Sequence, residues 1–477
     1  MQHLVHRSTD TDRPALLDRL RATAGDRERR VLFTGATILT MDPALGTLER
    51  GDLLVTGSTI TAVGPDLKAA GAADNAIVVD AGGTLLAPGF VDTHRHAWQA
   101  QLRRTIPDVD DLAGYLATTL AGCAPAYRPE DMYTGTRLAA LGAVDAGITT
   151  MLDFSHNSRS AAHSDAAVQA LLDTGIRGVH AAMAPHFGSW DRQWPADLAR
   201  LRDRYADPLL TFRLAALATP EIAGPDLAFG PELACFAREL GIGVSVDAVF
   251  GEASSRAILD WERAGLLDEQ VSLIHATGLG PDAWRAIAAS GATVSLAPTS
   301  EPQIGLESAV PAVDEALAVG VRPGLSIDVE VALAGDMFTQ MRALLAIQRM
   351  RAVNAAYLAG DSGPVPQRIG TADVLDFATL QGARTCGLDR VTGSLTPGKQ
   401  ADLLLLTADE LNNLPLNDPT GTAVLGCDTR NIDTVLIAGQ VRKWAGRVLD
   451  VDLPALRAEA SASRDRILRA AAGHQQD

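Results

Sequence analysis

The stretch FVDTHRHAWQ, residues 90–99, places two histidines one residue apart at the end of an apolar run. Residues i and i+2 of a strand share a face, so His94 and His96 point together while Arg95 points away. Two imidazoles on one face, joined by a carboxylate from another strand, are the start of a zinc, iron or manganese site. Taken singly, a histidine is more often a hydrogen-bonded structural group than a ligand. Of the ten histidines, His3, His6 and His474 lie in the tails, and the other seven fall between residues 94 and 275. Position therefore has to separate ligands from bystanders.

The positioning elements can be read from the texture of the chain. Short β-branched runs recur after Gly89, among them FVDTH, ITTMLDF, IRGVHAAM and LLTFRLAAL. They continue with IGVSVDAVF, VSLIHA, ATVSLA and VRPGLSID, separated by Ala/Leu/Arg-rich helical stretches such as PELACFARELG that end at glycine. Eight strands alternating with helices imply an α/β fold, a (β/α)8 barrel, whose chemistry sits at the C-terminal ends of the strands. His94, His96, Asp247, His275 and Asp328 all fall at or near such ends. A different β texture flanks this region in VLFTGATILTMD, GDLLVTGSTITAVG and AIVVDAGGTLLAPG, and returns in GSLTPGKQADLLLL and IDTVLIAGQVRK. One small composite β-sandwich built from both chain ends accounts for it. The expected division is an N-terminal arm (1–30), a first sandwich segment (31–86), the barrel (87–389), a second sandwich segment (390–449) and a C-terminal helix (450–477).

Bulk properties narrow the function. A net charge of −17 argues against nucleic acid and against anionic membranes as partners. The four cysteines show no CxxC spacing, which fits a reducing compartment and argues against a disulfide framework or a thiolate zinc site. With neither a signal-peptide core nor an apolar run of about 18 residues, the expected location is the cytoplasm.

The segments GATILTMD, LLAPGFVDTHRH, GAVDAGITTMLDF, GVRPGLSIDVE and GSLTPGKQADLLLL together resemble the amidohydrolase superfamily. The resemblance runs from about Val31 to Val448 and points to the branch of cytosine deaminase, adenosylhomocysteine deaminase and the triazine hydrolases. It implies a homodimer or larger homo-oligomer that uses metal-activated water on a C–N or related bond of a small cyclic or heteroaromatic molecule. His94 and His96 match the family's first-strand ligands, and Asp328 its eighth-strand aspartate, a ligand that also takes a proton from water. His275 matches the sixth-strand histidine that steadies developing charge. The implied cofactor is one divalent ion, zinc first, with iron or manganese as alternatives; no barrel-strand lysine stands where it would bridge two metals.

The fifth strand departs from the pattern. In VSVDAVFGE, Asp247 stands where the family has a metal-binding histidine, and Phe250 where it has a proton-shuttling glutamate. Asp247 either binds the metal through oxygen or hydrogen-bonds substrate. His156 is a candidate replacement proton donor, as is Glu252, and each is equally read as a loop residue. Substrate contacts are expected from Trp98, Gln99 and Arg103 after the first strand, and from Glu301 and Gln303 after the seventh. His163, His180 and His186 read as structural. Two other readings stay open: a lyase, decarboxylase or rearrangement on the same barrel, and an inactive ligand-binding barrel.

Overall fold

Parallel strands need long connections, and the helical stretches between the β-branched runs supply them. The structure is a computed structural model that describes residues 13–360 and 366–474. His3, His6 and the first twelve residues of the expected arm lie outside the described residues; the rest of the arm begins with a helix, Arg13–Ala22.

The barrel strands are β1 (Phe90–Arg95), β2 (Ile148–Ser155), β3 (Arg177–Ala182), β4 (Leu210–Leu217), β5 (Gly243–Asp247), β6 (Val271–Ile274), β7 (Thr293–Leu296) and β8 (Gly324–Leu325). They form one sheet in sequence order. Every residue of β1, β2 and β3 is buried, as expected of strands covered on both faces. Closure comes from a parallel bridge between Arg95 and Asp328. There the Asp328 N–H donates to the His94 carbonyl at 2.9 Å and the His96 N–H to the Asp328 carbonyl at 3.0 Å. The first and last strands are thus stitched together at the proposed metal ligands.

The eighth strand is shorter than the run VRPGLSID suggests. Regular pairing covers only Gly324–Leu325, because the Ile327 N–H turns to the Asp92 carboxylate at 3.0 Å and Asp328 adopts a left-handed φ of 66°. Gly324 is required there by space: a Cβ would lie 2.7 Å from Thr93 Cγ2 and 2.9 Å from Thr385 Oγ1. The fifth strand likewise ends at Asp247, and a helix begins at Gly251, so Phe250 is its N-cap and Glu252 lies in its first turn.

The described chain divides into two compact units. One comprises the residues up to Phe90, Val144–Thr149 and Leu388–Asp450; the other comprises Val91–Ala143, Thr150–Gly387 and the chain from Val451 onward. In the first, both chain ends enter one nine-stranded sheet. Thr84–Pro88 pairs antiparallel with Leu403–Thr407 and parallel with Arg30–Leu39, so a single strand joins N-terminal to C-terminal sequence. Phe33, Ile38, Leu53, Leu403 and Trp444 share its apolar core. In the second unit the final helix, Leu453–His474, carries Ser463, which donates to Asp131 Oδ1 at 2.6 Å, and Ile467, which is buried with Trp98 and Met132.

Candidate metal centre and its cavity

The alternation of β1 sends His94 and His96 to one face and Arg95 to the other. Arg95 is fully buried, its guanidinium held by Asp92 Oδ2 at 2.6 Å and Glu330 Oε2 at 3.5 Å. Opposite it, His94 Nε2 and His96 Nε2 lie 3.1 and 3.2 Å from the same oxygen, Asp328 Oδ1. Ligand atoms of these three buried residues all fall within 4.8 Å of one another.

The donor set fits a divalent metal ion. His96 Nδ1 sits 3.0 Å from the Phe154 carbonyl, which can only accept, so Nδ1 carries a proton and Nε2 is the nitrogen turned to the cluster. Burial lowers His94 to about 3, leaving that ring neutral. Burial alone would raise Asp328, but the hydrogen bonds to His94 and His96 hold its carboxyl well below the usual range. Two ring nitrogens and a carboxylate oxygen thus converge, an arrangement that a cation among them would satisfy.

His275 stands beside this group at φ 65°. Its Nδ1 faces Glu301 Oε1 at 3.3 Å, and the same carboxylate oxygen accepts the Ala297 N–H at 2.8 Å. Burial opposes charge on the ring, yet the Glu301 hydrogen bond and the charges of Asp328, Asp247 and Glu301 outweigh it and raise His275 to about 9. Its Nε2 is 3.7 Å from Asp328 Oδ2 and 3.9 Å from Asp247 Oδ1, too far to hydrogen-bond either, so the N–H is free to meet a ligand. Ser300 Oγ donates to Asp328 Oδ2, a contact that sequence reasoning missed.

Asp247 lies outside the three-residue group. Burial raises its carboxyl, and its Oδ1 is buried without a hydrogen-bond partner among the described residues. His156 stacks on His96 with ring centroids 3.9 Å apart, and its Nδ1 accepts the Trp98 indole N–H at 3.0 Å. Burial pushes His156 well below its ordinary value, so it stays neutral with its proton on Nε2.

A small cavity of about 40 Å³ adjoins this cluster; Asp247, His156, His275 and Asp328 are among its lining residues. His186, expected to be structural, lines it too. It meets His156 edge to face at 5.0 Å, and its buried Nδ1 lacks a hydrogen-bond partner among the described residues. Its place just beyond the end of β3 was the available signal. Tyr115 is a second lining residue the sequence did not reveal.

The five expected substrate contacts do not line the cavity. Trp98 is fully buried in an apolar cluster with Leu102, Tyr127 and Met132. Gln99 is buried and donates to the Tyr115 hydroxyl at 2.8 Å. Arg103 is held by Glu330 through bonds of 2.8 and 3.2 Å, and Gln303 donates to the Pro107 carbonyl at 2.7 Å. Glu301 is fully buried at His275 and orients that ring. Glu252 is exposed and ion-paired with Arg256, while Phe250 packs against the apolar cluster of Trp98. His180 pairs with Asp153 at 3.1 Å, and His163 bonds Ser160 at 2.7 Å.

The chain is similar over most of its length to known proteins. A 5-methylthioadenosine/S-adenosylhomocysteine deaminase of Pelotomaculum thermopropionicum is 27% identical over 447 residues, covering 90% of this chain and 97% of that protein. The deaminase of the same name from Symbiobacterium thermophilum is 29% identical and covers 82% of this chain and 88% of its own. Among solved structures, an adenosine deaminase from Xanthomonas campestris with bound zinc superposes with a TM-score of 0.79 at 23% identity, covering 92% and 98% of the two chains. A variant of atrazine chlorohydrolase from Arthrobacter aurescens, complexed with zinc and atraton, gives 0.78 at 21% identity, covering 91% and 100%. The sequence pattern of the amidohydrolase family matches residues 85–442, most of the chain, and the protein therefore belongs to the amidohydrolase family.

Proposed function

We propose that the protein is a metal-dependent hydrolase that cleaves a C–N bond of a small heteroaromatic molecule with water. The observation that carries this reading is the convergence of His94 Nε2, His96 Nε2 and Asp328 Oδ1 at the mouth of the barrel. A single zinc ion held by these three groups would supply Lewis acidity and lower the pKa of water, with iron or manganese as chemical alternatives.

The chain's own residues divide the remaining work. Asp328, oriented by the Ser300 hydroxyl, accepts a proton from the attacking water as the new C–O bond forms. His275 directs its Nε2–H at the charge developing on the ring. The proton on Asp328 then passes to the leaving nitrogen as the C–N bond breaks, so water and substrate yield the oxygenated ring and the free amine. Asp247 meets the substrate instead of the metal, its unpartnered oxygen serving as a hydrogen-bond anchor. His156 acts as a neutral Nε2–H donor, because burial suppresses its protonation.

We further read the protein as a cytoplasmic homodimer or larger homo-oligomer. Among the described residues no helix is long and apolar enough to cross a membrane. Met350, Val353, Tyr357 and Leu358 form an exposed apolar stripe on the helix Met337–Ala359, which would suit self-association; light scattering on the eluting protein tests it.

Metal analysis of protein purified without chelator should give about one ion per chain, abolished by His94→Ala. Turnover in oxygen-18 water should label the product. Metal bound without label in the product would leave the non-hydrolytic reading; no metal and no thermal stabilisation by zinc would leave the ligand-binding one.

A further inference from the structure

At about 40 Å³, the cavity beside the metal-binding group has no room for a heteroaromatic ring; sites that take small molecules enclose about 300–1,000 Å³. A wall must therefore move before the proposed reaction can begin. The barrel side is fixed, because Asp247 is paired within the sheet and His96 and Asp328 flank its closing bridge. The wall that carries His186 is held differently. From the end of β3 at Ala182 to a helix that starts at Asp197, the chain has no regular structure. Both ends of this stretch are tied down: the Met183 N–H donates to the Ser155 carbonyl at 3.1 Å and the Asp191 N–H to the Arg159 carbonyl at 2.9 Å. Between them, among the described residues, the backbone of residues 186–190 makes only two hydrogen bonds, and both come from one side chain. The Arg159 guanidinium donates to the Phe187 carbonyl at 2.9 Å and to the Ser189 carbonyl at 3.0 Å.

Arg159 is itself anchored across the cavity. Its Nε donates to the Ala124 carbonyl at 3.1 Å, just past the helical segment Leu116–Cys123, whose Leu116 and Leu120 cover the cavity. One guanidinium thus joins the His186 loop to the cover. Gly188 permits the contact: it sits at φ 80°, and a Cβ there would lie 3.1 Å from Arg159 Nη1. All three partners are neutral carbonyls, and burial with no carboxylate alongside lowers Arg159 to about 10. Closing the loop therefore takes a charge out of water for hydrogen bonds that water can replace, so release is cheap. His186 Nδ1 is buried without a partner among the described residues, so a polar atom of an entering ring would stabilise the closed form. Resting on the hydrolase reading for what enters, we propose that residues 186–190 are a gate to the cavity and that Arg159 is its latch, a positioning residue that lets the loop swing out and returns His186 to the cavity wall.

Hydrogen exchange on the full-length protein, read by mass spectrometry, tests the latch. In Arg159→Met the amides of residues 187–191 should exchange about tenfold faster or more, the scale of one hydrogen bond to a charged group. Arg159→Lys, whose single ammonium reaches fewer carbonyls, should fall between it and wild type. Gly188→Ala, which crowds the guanidinium from the loop side, should also accelerate exchange. The strand Leu403–Thr407, in the other unit, should keep its rates in every variant. Diethyl pyrocarbonate, which modifies accessible imidazoles, tests the gate: its rate at His186, followed by peptide mapping, should rise by the same factor as amide exchange, because one opening limits both. Unchanged exchange at residues 187–191 in all three variants would overturn the proposal, as would equal acceleration in the distant strand, the mark of a merely structural residue. Faster exchange with no gain in His186 reactivity would mean that the loop frays without uncovering the cavity, and would overturn the gate. Neither readout needs turnover, so the gate can stand while labelled oxygen fails to enter a product, and the reverse.

Discussion

Removal of the Glu330 carboxylate by substitution to Ala should loosen the metal centre without touching any ligand. Glu330 follows Asp328 by two residues and accepts from two guanidiniums: Arg103 at 2.8 and 3.2 Å and Arg95 at 3.5 Å. Arg95 lies between His94 and His96, so one buried network grips both strands that bring the ligands together. Breaking a buried ion pair by deleting one partner costs about 3–5 kcal/mol. Arg95 keeps Asp92, and Arg103 is partly exposed and can recover water, so the low end, about 3 kcal/mol, is expected. Asp328 is held at an unfavourable φ of 66° by its pairing with β1, and slackening that pairing moves its carboxylate relative to the two imidazoles. Changes to groups that orient ligands lower metal affinity by about 10–100-fold. Urea denaturation measures the first effect and chelator competition the second, with Glu330→Gln, which preserves shape, expected between wild type and Glu330→Ala. A variant with stability lowered by less than about 1 kcal/mol and unchanged zinc affinity would refute the reasoning.

Three other substitutions probe separate aspects of the site and its support. Asp247→Asn should leave metal content intact and lower kcat/KM by about 10–100-fold, the scale of one hydrogen bond involving a charged group; lost metal in elemental analysis would make Asp247 a ligand. Trp98→Phe keeps the apolar packing but strips the Nε1–H that His156 accepts, so a loss of about 1 kcal/mol is expected in denaturation, against about 3–5 kcal/mol for Trp98→Ala. Gly324→Ala forces a Cβ to within 2.7 Å of Thr93 Cγ2 and should cost about 1–3 kcal/mol, read as a lowered melting temperature; an unchanged melting temperature would mean the barrel yields there freely.

The pairing of His94 and His96 on one face was legible because it depends on local geometry alone. Alternation along a strand is a property of the backbone, so an HxH at the end of an apolar run states which two side chains share a face. The barrel was legible for a similar reason: strand and helix periodicities are written into neighbouring residues, and alternating elements admit few topologies. The fates of Trp98, Gln99, Arg103, Glu301 and Gln303 were not, because proximity to a motif does not say whether a side chain reaches the cavity or is claimed by a buried partner. Arg103 is claimed by Glu330, 227 residues away, and Trp98 by His156, 58 residues away. His186 lines the cavity, and its place just beyond the end of β3 was the hint that the chain offered. The chain alone thus determined the fold class and the shared face of His94 and His96 on the first strand. Tertiary packing decided which carboxylate meets the two histidines, which polar residues serve as buried supports, and which side chains line the cavity, since each depends on segments that only the closed barrel brings together.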